Sequence, residues 1–213
     1  MSKLITGLDK LGLKPTEKQQ NKLISYIDEL EKWNPLYSLV NASGDDLIVR
    51  HILDSLSGLG LIRELGKNQF KPRLADMGTG GGLPGIPLSL FLEGWEVDLV
   101  ERSGKRFNFL NNMIITLGLD HVTAHQKDLK NVKEHYDVIT FRAFRPFLPE
   151  IIKGLKKCLA PEGVIAAYKG KMSSLEEEKA LLKDHFGRIE IHPLKVPYLE
   201  EERHLLVLGD ARW

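Results

Sequence analysis

Roughly the first sixty residues carry apolar side chains at helical spacing and show no strand-like alternation. Thr16 and Gln19 form a capping-box signal, which predicts that a helix begins beside them. The apolar positions that follow are Leu23, Ile27 and Leu30. We expect this helix to stop at Asn34 and Pro35, because proline lacks the backbone donor and clashes with the preceding turn.

A second helical pattern follows that stop. Ser43 or Asp45 supplies its N-cap, and the apolar face continues to about Leu65. The apolar residues of that face include Leu47, Ile48, Ile52, Leu56 and Leu59. We therefore predict that residues 1–66 form a helical extension packed on the rest of the chain.

From Arg73 onward, apolar runs of strand length alternate with helical patterns. The candidate strands are residues 73–78, 95–101, 121–126, 136–141, 163–169, 188–196 and 203–209, and the candidate helices are residues 84–93, 103–118, 147–159 and 173–186. This alternation predicts a doubly wound, Rossmann-like α/β fold with a seven-stranded, mainly parallel sheet over residues 67–213. We expect the last two strands to pair as an antiparallel hairpin, because only a short connection separates them.

The most informative segment is LADMGTGGGLPGIPLSL, residues 74–90, where an apolar strand leads through one acid into clustered glycines and a helix. Gly80, Gly82 and Gly85 match the dinucleotide fingerprint G-x-G-x-x-G. Asp76 and two nearby prolines argue against a diphosphate, because an acid repels that group and prolines lack amide donors. A ligand with positive charge, such as S-adenosylmethionine, fits this loop better than NAD.

A second cofactor signal comes from the next predicted strand, WEVDLVE. It ends at Glu101, about twenty residues beyond the glycines, where an acid binds ribose hydroxyls. Both NAD enzymes and methyltransferases use that contact, so Glu101 indicates a nucleoside cofactor without separating the two classes. The alternative is a solvated acid beside Arg102.

Several separated motifs connect the chain with a known family. They are KWNPLYSLV, VRHILDSL, LADMGTGGGLPGIPLSL, FRAF and AYKGK. Together they resemble the bacterial 16S ribosomal RNA methyltransferase G family, also called glucose-inhibited division protein B. The resemblance covers nearly the whole chain, and it implies a methyltransferase fold that moves a methyl group from S-adenosylmethionine to N7 of one guanine in a loop of 16S ribosomal RNA.

The resemblance implies cofactor contacts in two places besides the ribose site at Glu101. In the glycine loop, the cofactor-binding residues are Asp76, Gly78, Gly80 and Leu83.

The other place is the end of the third predicted strand, where adenine is held. Asp128 is expected to accept a hydrogen bond from the exocyclic amine, and Leu129 to cover the ring. The family usually has an arginine and an acid where this chain has Asp128 and Lys130, so at Leu129 and Lys130 we expect contact through the backbone.

The motifs FRAF and AYKGK carry the catalytic candidates. Arg142 closes the fourth predicted strand and by resemblance contacts the cofactor or the target nucleotide, since a guanidinium suits phosphate or the O6 edge of guanine. Lys169 ends the fifth strand and is expected to meet RNA phosphate. Surface ion pairs are the alternative for both cations. Phe141 or Phe144 is expected to offer a stacking surface, with at least one of them buried.

Methylation of guanine N7 uses a free lone pair and releases no proton, so positioning can carry catalysis without a general base. Cys158 shares an amphipathic helix with Leu155 and Leu159, which favours packing over a nucleophilic role. The histidines show no metal-ligand spacing, so no metal is expected. His51 and Asp54 are expected to tie the helical extension to the sheet domain.

The net charge of the 213-residue chain is only +1, so an RNA interface must arise from local clusters. The candidate clusters are Arg102 with Lys105 and Arg106, Arg142 with Arg145, Lys153 with Lys156 and Lys157, and Lys169 with Lys171; the alternative is a set of solvated helix faces. No stretch predicts a membrane span or a secretory leader, and one cysteine cannot form a disulfide scaffold. We expect a cytoplasmic monomer whose partner is 16S ribosomal RNA in a folded subunit or assembly particle.

Two other functions stay open at this point. One is a methyltransferase of the same fold that acts on another nucleic-acid atom, a small molecule or a protein. The other is a non-catalytic RNA-binding assembly module, which failure to bind S-adenosylmethionine would favour.

Overall fold

The computed structural model describes residues 2–144 and 146–210. Its strands are β1 (Arg73–Met77), β2 (Glu96–Glu101), β3 (Val122–Gln126), β4 (Tyr136–Arg142), β5 (Leu159–Lys169), β6 (Arg188–Leu194) and β7 (Arg203–Gly209). They form one seven-stranded sheet in the order β3-β2-β1-β4-β5-β7-β6. Strands β1 to β5 run parallel, and β7 pairs antiparallel with both β5 and β6. The predicted doubly wound fold and its antiparallel final pair are confirmed.

The strand order determines where a ligand crevice opens. The chain proceeds from β1 to β2 and β3 on one side of the sheet and returns to β4 on the other side of β1. The connections on either side of this reversal diverge, so a crevice forms at the carboxyl ends of β1 and β4. Both the glycine loop and the motif FRAF begin at this edge.

One strand is longer than predicted. β5 begins at Leu159 instead of residue 163, because Leu159 pairs with Tyr136 ahead of a register shift in β4.

The helices are α1 (Ser2–Lys10), α2 (Glu17–Tyr37), α3 (Gly44–Leu47), α4 (Asp54–Ser57), α5 (Leu59–Gly66), α6 (Gly85–Ser89), α7 (Gly104–Leu117), α8 (Pro149–Lys157) and α9 (Met172–Leu182). A π-helical segment, Ile48–Leu53, joins α3 to α4, and a 3-10 turn covers Leu129–Asn131. No helix among these combines the length and the apolar content that a membrane span requires.

The helix predicted to stop at Pro35 continues to Tyr37, although its capping box forms as expected. Proline is tolerated because it falls in the last turn, where a lost backbone bond costs little. The turn is closed by other bonds: Ser38 N donates to Asn34 O at 2.9 Å, and Asn34 Oδ1 accepts from Val40 N at 2.9 Å.

The second predicted helix is divided into α3, the π-helical segment, α4 and α5. Its apolar spacing was read as one regular α-helix, and that prediction was wrong. A π-turn contains an extra residue and re-aims the side chains that follow it. This shift matters because His51 and Asp54 lie within it and at its end.

Two apolar clusters cover the two faces of the sheet. The first joins the N-terminal helices to the strands and includes Leu30, Ile52 and Val138. The second lies beneath α8 and α9 and includes Ile139 and Ile152. Consecutive residues of β4 thus enter opposite clusters, as the pleat requires. The helical extension shares its core with the sheet.

Candidate functional site

The loop after β1 adopts a backbone that favours glycine. Gly78, Gly80 and Gly82 have φ of 70°, 61° and 94°, in the left-handed region. A Cβ added to Gly78 would lie 2.5 Å from Cδ2 of Phe144, whereas one added to Gly80 would meet no atom within 4 Å. The first glycine is therefore required both by its conformation and by the close approach of an aromatic ring.

The amide donors of this loop are used inside the protein. Gly78 N donates to Val100 O at 2.8 Å, Gly80 N to Glu101 Oε2 at 3.0 Å, and Gly85 N to Asp76 Oδ2 at 2.7 Å. A diphosphate is held by amides that have no other acceptor, and these three amides are already committed. The geometry supports the argument against a dinucleotide.

Asp76 lies beneath the loop and is wholly buried. Its Oδ2 accepts from Thr79 Oγ1 at 2.5 Å as well as from Gly85, while Oδ1 has no hydrogen-bond partner among the described atoms. Burial raises the pKa of the Asp76 carboxyl to about 7, against the hydrogen bonds from Thr79 and Gly85 that lower it. The carboxylate is thus positioned to hold the loop in shape.

A cavity of about 240 Å³ opens beside the loop, and we call it the glycine-loop cavity. It is lined by Met77, Gly78, Val100, Glu101, Arg102, Arg106, Lys127, Asp128, Leu129, Ala143 and Phe144. Of the predicted cofactor residues, Gly78, Glu101, Asp128 and Leu129 are brought together here. The other predicted cofactor residues are not part of the lining: Asp76, Gly80, Leu83, Lys130 and Arg142.

The acids of this cavity are anchored by the backbone. Glu101 Oε1 accepts from Ser103 N at 2.8 Å, and its Oε2 accepts from Gly80 N. Asp128 caps the 3-10 turn, accepting from Lys130 N at 3.4 Å. The Lys130 side chain is exposed, so only its backbone belongs to this arrangement. Leu83 is buried in the first apolar cluster.

A second cavity of about 650 Å³ adjoins the first, and we call it the Arg142 cleft. Its lining comprises Arg50, His51, Asp54, Phe141, Arg142, Ala143, Phe144, Pro146, Tyr168, Lys169, Gly170, Glu178 and Arg203. Ala143 and Phe144 line both cavities. The two cavities therefore border each other at the motif FRAF.

Arg142 lines this cleft and also fastens the helical extension to the sheet. Its Nη1 donates to Arg50 O at 2.9 Å and to Asp54 Oδ2 at 3.0 Å, and its Nη2 lies 2.5 Å from His51 Nδ1. Burial lowers the pKa of His51 to about 4, with Arg142 and Arg50 adding to the effect, so His51 is neutral and its Nδ1 accepts. The predicted tie between the extension and the sheet is present, and Arg142 completes it.

Asp54 is the centre of this tie. The residue is buried, and Arg203 Nε lies 3.5 Å from its Oδ1, opposite Arg142. Burial raises the pKa of Asp54, while Arg142 and Arg203 lower it. The motif VRHILDSL identified His51 and Asp54, but no local signal connected Arg203, which comes from β7 far along the chain.

Lys169 does not present an unpaired cation to solvent. Its Nζ donates to Glu178 Oε1 at 2.8 Å and lies 4.6 Å from the centre of the Phe147 ring. Glu178 belongs to α9 and was missed by sequence reasoning. A phosphate that binds Lys169 would therefore have to compete with the Glu178 carboxylate, which neutralises the lysine.

The remaining sequence candidates differ in their surroundings. Phe141 is buried and Phe144 is half-buried, with ring centroids 5.2 Å apart. Arg145 lies outside the described residues. Burial raises the pKa of the Cys158 thiol to about 11, which keeps it protonated and unsuited to nucleophilic attack. The described residues contain no group of three or more histidine, cysteine or acidic side chains arranged for a metal.

Known proteins match this chain over nearly its full length. Residues 19–206 match the profile of a family described as rRNA small subunit methyltransferase G. A protein named Ribosomal RNA small subunit methyltransferase G from Laribacter hongkongensis is 36% identical over 210 residues, which cover 97% of this chain and 96% of its own. A protein of the same name from Borrelia turicatae is 34% identical over 203 residues, covering 94% and 96%.

Solved structures share the fold at low sequence identity. The N-terminal domain of human METTL16 in complex with SAH has a TM-score of 0.59 at 17% identity, covering 74% of this chain and 70% of that domain. Human methyltransferase 10 domain containing protein has a TM-score of 0.60 at 16% identity, covering 91% and 98%. Both likenesses concern the architecture alone.

Proposed function

The chain belongs to the rRNA small subunit methyltransferase G family, and from this premise we propose that it transfers a methyl group from S-adenosylmethionine to N7 of one guanine in 16S ribosomal RNA. The observation that carries this proposal is the relationship over nearly the whole chain to proteins named for that class of activity. Two adjoining cavities at the crevice of a methyltransferase-like sheet provide room for a methyl donor and an acceptor.

The residues of the glycine-loop cavity fit an adenosyl cofactor. Glu101 and Asp128 offer carboxylates, while Met77, Leu129 and Phe144 offer apolar surface. An adenosyl group needs this combination, since its ribose hydroxyls and its adenine amine donate hydrogen bonds and the faces of its base require an apolar wall. The committed amides of the loop disfavour a diphosphate in the same space.

Each site residue predicted from the sequence has a role in this proposal. Gly78, Glu101, Asp128 and Leu129 line the cofactor site directly. Asp76, Gly80, Leu83 and the Lys130 backbone hold the loops that shape it. Arg142 and Lys169 act in the neighbouring cleft, where they orient the RNA, and Arg142 also borders the cofactor site through its neighbour Ala143.

When bound, S-adenosylmethionine supplies a methyl group activated by its sulfonium. Guanine N7 carries a free lone pair and gives up no proton, so the chain needs no group to remove one. Its residues have to bring N7 into line with the methyl carbon and exclude competing nucleophiles. In A-form RNA, N7 faces a deep and narrow groove, so the target guanine belongs to a loop or an opened segment of a folded particle.

We further propose that residues 1–66 are a helical extension of a catalytic domain formed by residues 67–213, and that the protein acts as a cytoplasmic monomer. The shared apolar core and the Arg142 tie support a fixed arrangement of extension and domain.

The test combines cofactor binding with product analysis. Calorimetry should detect binding of S-adenosylmethionine. Radioactive methyl transfer to small ribosomal subunits that lack the modification, followed by nuclease digestion, should yield labelled N7-methylguanosine. Label in another nucleoside or in protein would show that the acceptor is not guanine N7. Absence of cofactor binding would favour a non-catalytic RNA-binding module.

A further inference from the structure

The Arg142 cleft has to select guanine while leaving N7 free, if the proposed function holds. The N7 atom must face the cofactor, which leaves the Watson–Crick edge of the base free for recognition. That edge presents the acceptor O6 followed by two donors, N1–H and the N2 amine. A cleft that selects guanine therefore needs an acceptor for the two donors and a donor for O6.

Most polar groups that line the cleft are already engaged. Asp54 Oδ2 is held by Arg142, and the Asp54 side chain is only 4% exposed. His51 Nδ1 accepts from Arg142, and the buried Tyr168 hydroxyl donates to Ser55 O at 2.5 Å. The arginines can only donate.

Glu178 is the other carboxylate among the described residues that line the cleft, and its side chain is 30% exposed. Lys169 Nζ donates to Oε1 and lies 2.6 Å from Oε2, but no donor is aligned with Oε2, which is buried. A carboxylate offers about four acceptor positions, so this lysine leaves part of its capacity unused. Glu178 thus supplies the acceptor that guanine requires.

From this arrangement we propose that Glu178 and Lys169 together read the Watson–Crick edge of the target guanine. The order of groups is complementary: the Lys169 ammonium donates to O6, and the Glu178 carboxylate accepts from N1–H and the N2 amine. Without RNA the two side chains neutralise each other, which avoids an unpaired charge in a half-buried position. The entering base separates the pair and replaces it with hydrogen bonds of the same polarity.

This inference rests on the proposed function and assigns specificity to two residues of the same site. It also gives Lys169 a role different from the phosphate contact expected from the sequence. Phe144 lines both cavities, so the cleft that contains this pair borders the glycine-loop cavity.

The test replaces the modified guanine, once located with the wild-type protein, by inosine in reconstituted small subunits. Inosine keeps N7, O6 and N1–H but lacks the N2 amine. Loss of a hydrogen bond to a charged group should lower kcat/KM of the wild type about tenfold or more on inosine. Glu178→Ala should lower kcat/KM on guanine and treat the two bases alike, because the carboxylate that distinguishes them is gone.

Glu177→Ala is the matched control, since it removes the same charge from an exposed neighbouring position of α9. It should keep the wild-type preference for guanine over inosine. Thermal unfolding and calorimetry with S-adenosylmethionine verify that each variant is folded and binds cofactor. If Glu178→Ala is unfolded, Glu178→Gln takes its place, with the preference for guanine again expected to shrink.

Two results would overturn the inference while leaving the proposed function intact. One is a wild type that methylates guanine and inosine equally well, and the other is a folded Glu178 variant that keeps the full preference. A wild type that binds cofactor yet labels no guanine would instead refute the proposed function, and this inference with it.

Discussion

The two cavities differ in how the chain builds them. The glycine-loop cavity is formed at the carboxyl ends of the neighbouring parallel strands β1, β2, β3 and β4, with Gly78 directly after β1 and Glu101 at the end of β2. The Arg142 cleft draws its polar groups from the π-helical segment, α4, β4, β5, α9 and β7. The glycine-loop cavity depends on the backbone conformation of the loop after β1, whereas the Arg142 cleft depends on ion pairs between distant segments.

This difference predicts how each region fails. A site that depends on a left-handed backbone turn does not tolerate a residue that resists this conformation. A cleft built on buried ion pairs tolerates small backbone changes but suffers when one partner of a pair is removed. The following substitutions separate these two kinds of dependence.

The largest effect is expected at the centre of the Arg142 cleft. Asp54→Ala leaves Arg142 and Arg203 without their shared carboxylate and should lower the free energy of unfolding by about 3 kcal/mol. Urea denaturation measures this loss. Asp46→Ala is the control, because its 75% exposed side chain pairs with Arg50 at 3.6 Å on the surface, and it should cost no more than about 1 kcal/mol. Equal losses would mean that the cleft does not depend on its buried pair.

A smaller effect is expected in the glycine loop, and a pair of variants separates its causes. Gly80→Ala adds only left-handed strain, about 1–2 kcal/mol. Gly78→Ala adds that strain and also pushes on Phe144, which lies 2.5 Å from the new Cβ position. Because the ring borders the cavity, Gly78→Ala should weaken binding of S-adenosylmethionine about tenfold more than Gly80→Ala does. Calorimetry measures the Kd for S-adenosylmethionine of both variants. Similar values would show that the contact between residue 78 and Phe144 does not affect cofactor binding.

The same contrast explains what could be predicted from the sequence. The glycine loop was recognisable because its acid, glycines and strand are contiguous, and Glu101 follows at a fixed distance. Two partners in the Arg142 cleft were not recognisable: Arg203, which pairs with Asp54, and Glu178, which pairs with Lys169. They are brought in by the order of strands and by the placement of α9. No spacing rule links such residues before the sheet has formed.

Even within the recognisable loop, the sequence did not determine which way side chains point. Asp76 was read as a cofactor ligand, yet its Oδ2 is bound to Thr79 and Gly85 and its side chain is buried beneath the loop. The π-helical segment Ile48–Leu53 likewise escaped the prediction for residues 43–65, because one short π-turn adds a single residue to an otherwise helical spacing. Direction depends on local backbone geometry, which hydrophobic patterns describe only coarsely.

Asp76 gives the glycine loop a pH response that can be measured. Its pKa is raised from 3.8 to about 7, so between these values the folded protein binds a proton that the unfolded chain has released. This group therefore makes the protein less stable as pH rises from about 4 to about 7. Asp76→Asn should remove that contribution.

The measured quantity is the difference in unfolding free energy between wild type and Asp76→Asn, followed from pH 4 to pH 7. The difference is needed because the neutral His51, with its lowered pKa, makes wild type and variant alike more stable over the same range. A pH-independent difference would show that the Asp76 carboxyl titrates normally. We also expect Asp76→Ala to weaken cofactor binding, since Gly85 N and Thr79 lose the acceptor that holds the loop.

The smallest effect is expected at Lys130, where this chain departs from the usual family pattern. Its side chain is exposed and outside the cavity lining, so Lys130→Ala should leave the Kd for S-adenosylmethionine within about twofold of wild type. Asp128→Ala is the comparison, because it removes a carboxylate from the cavity wall and the cap of the 3-10 turn, and it should raise that Kd about tenfold. If both variants bind equally weakly, the Lys130 side chain itself takes part in cofactor binding. That result would contradict the prediction that Lys130 contributes only through its backbone.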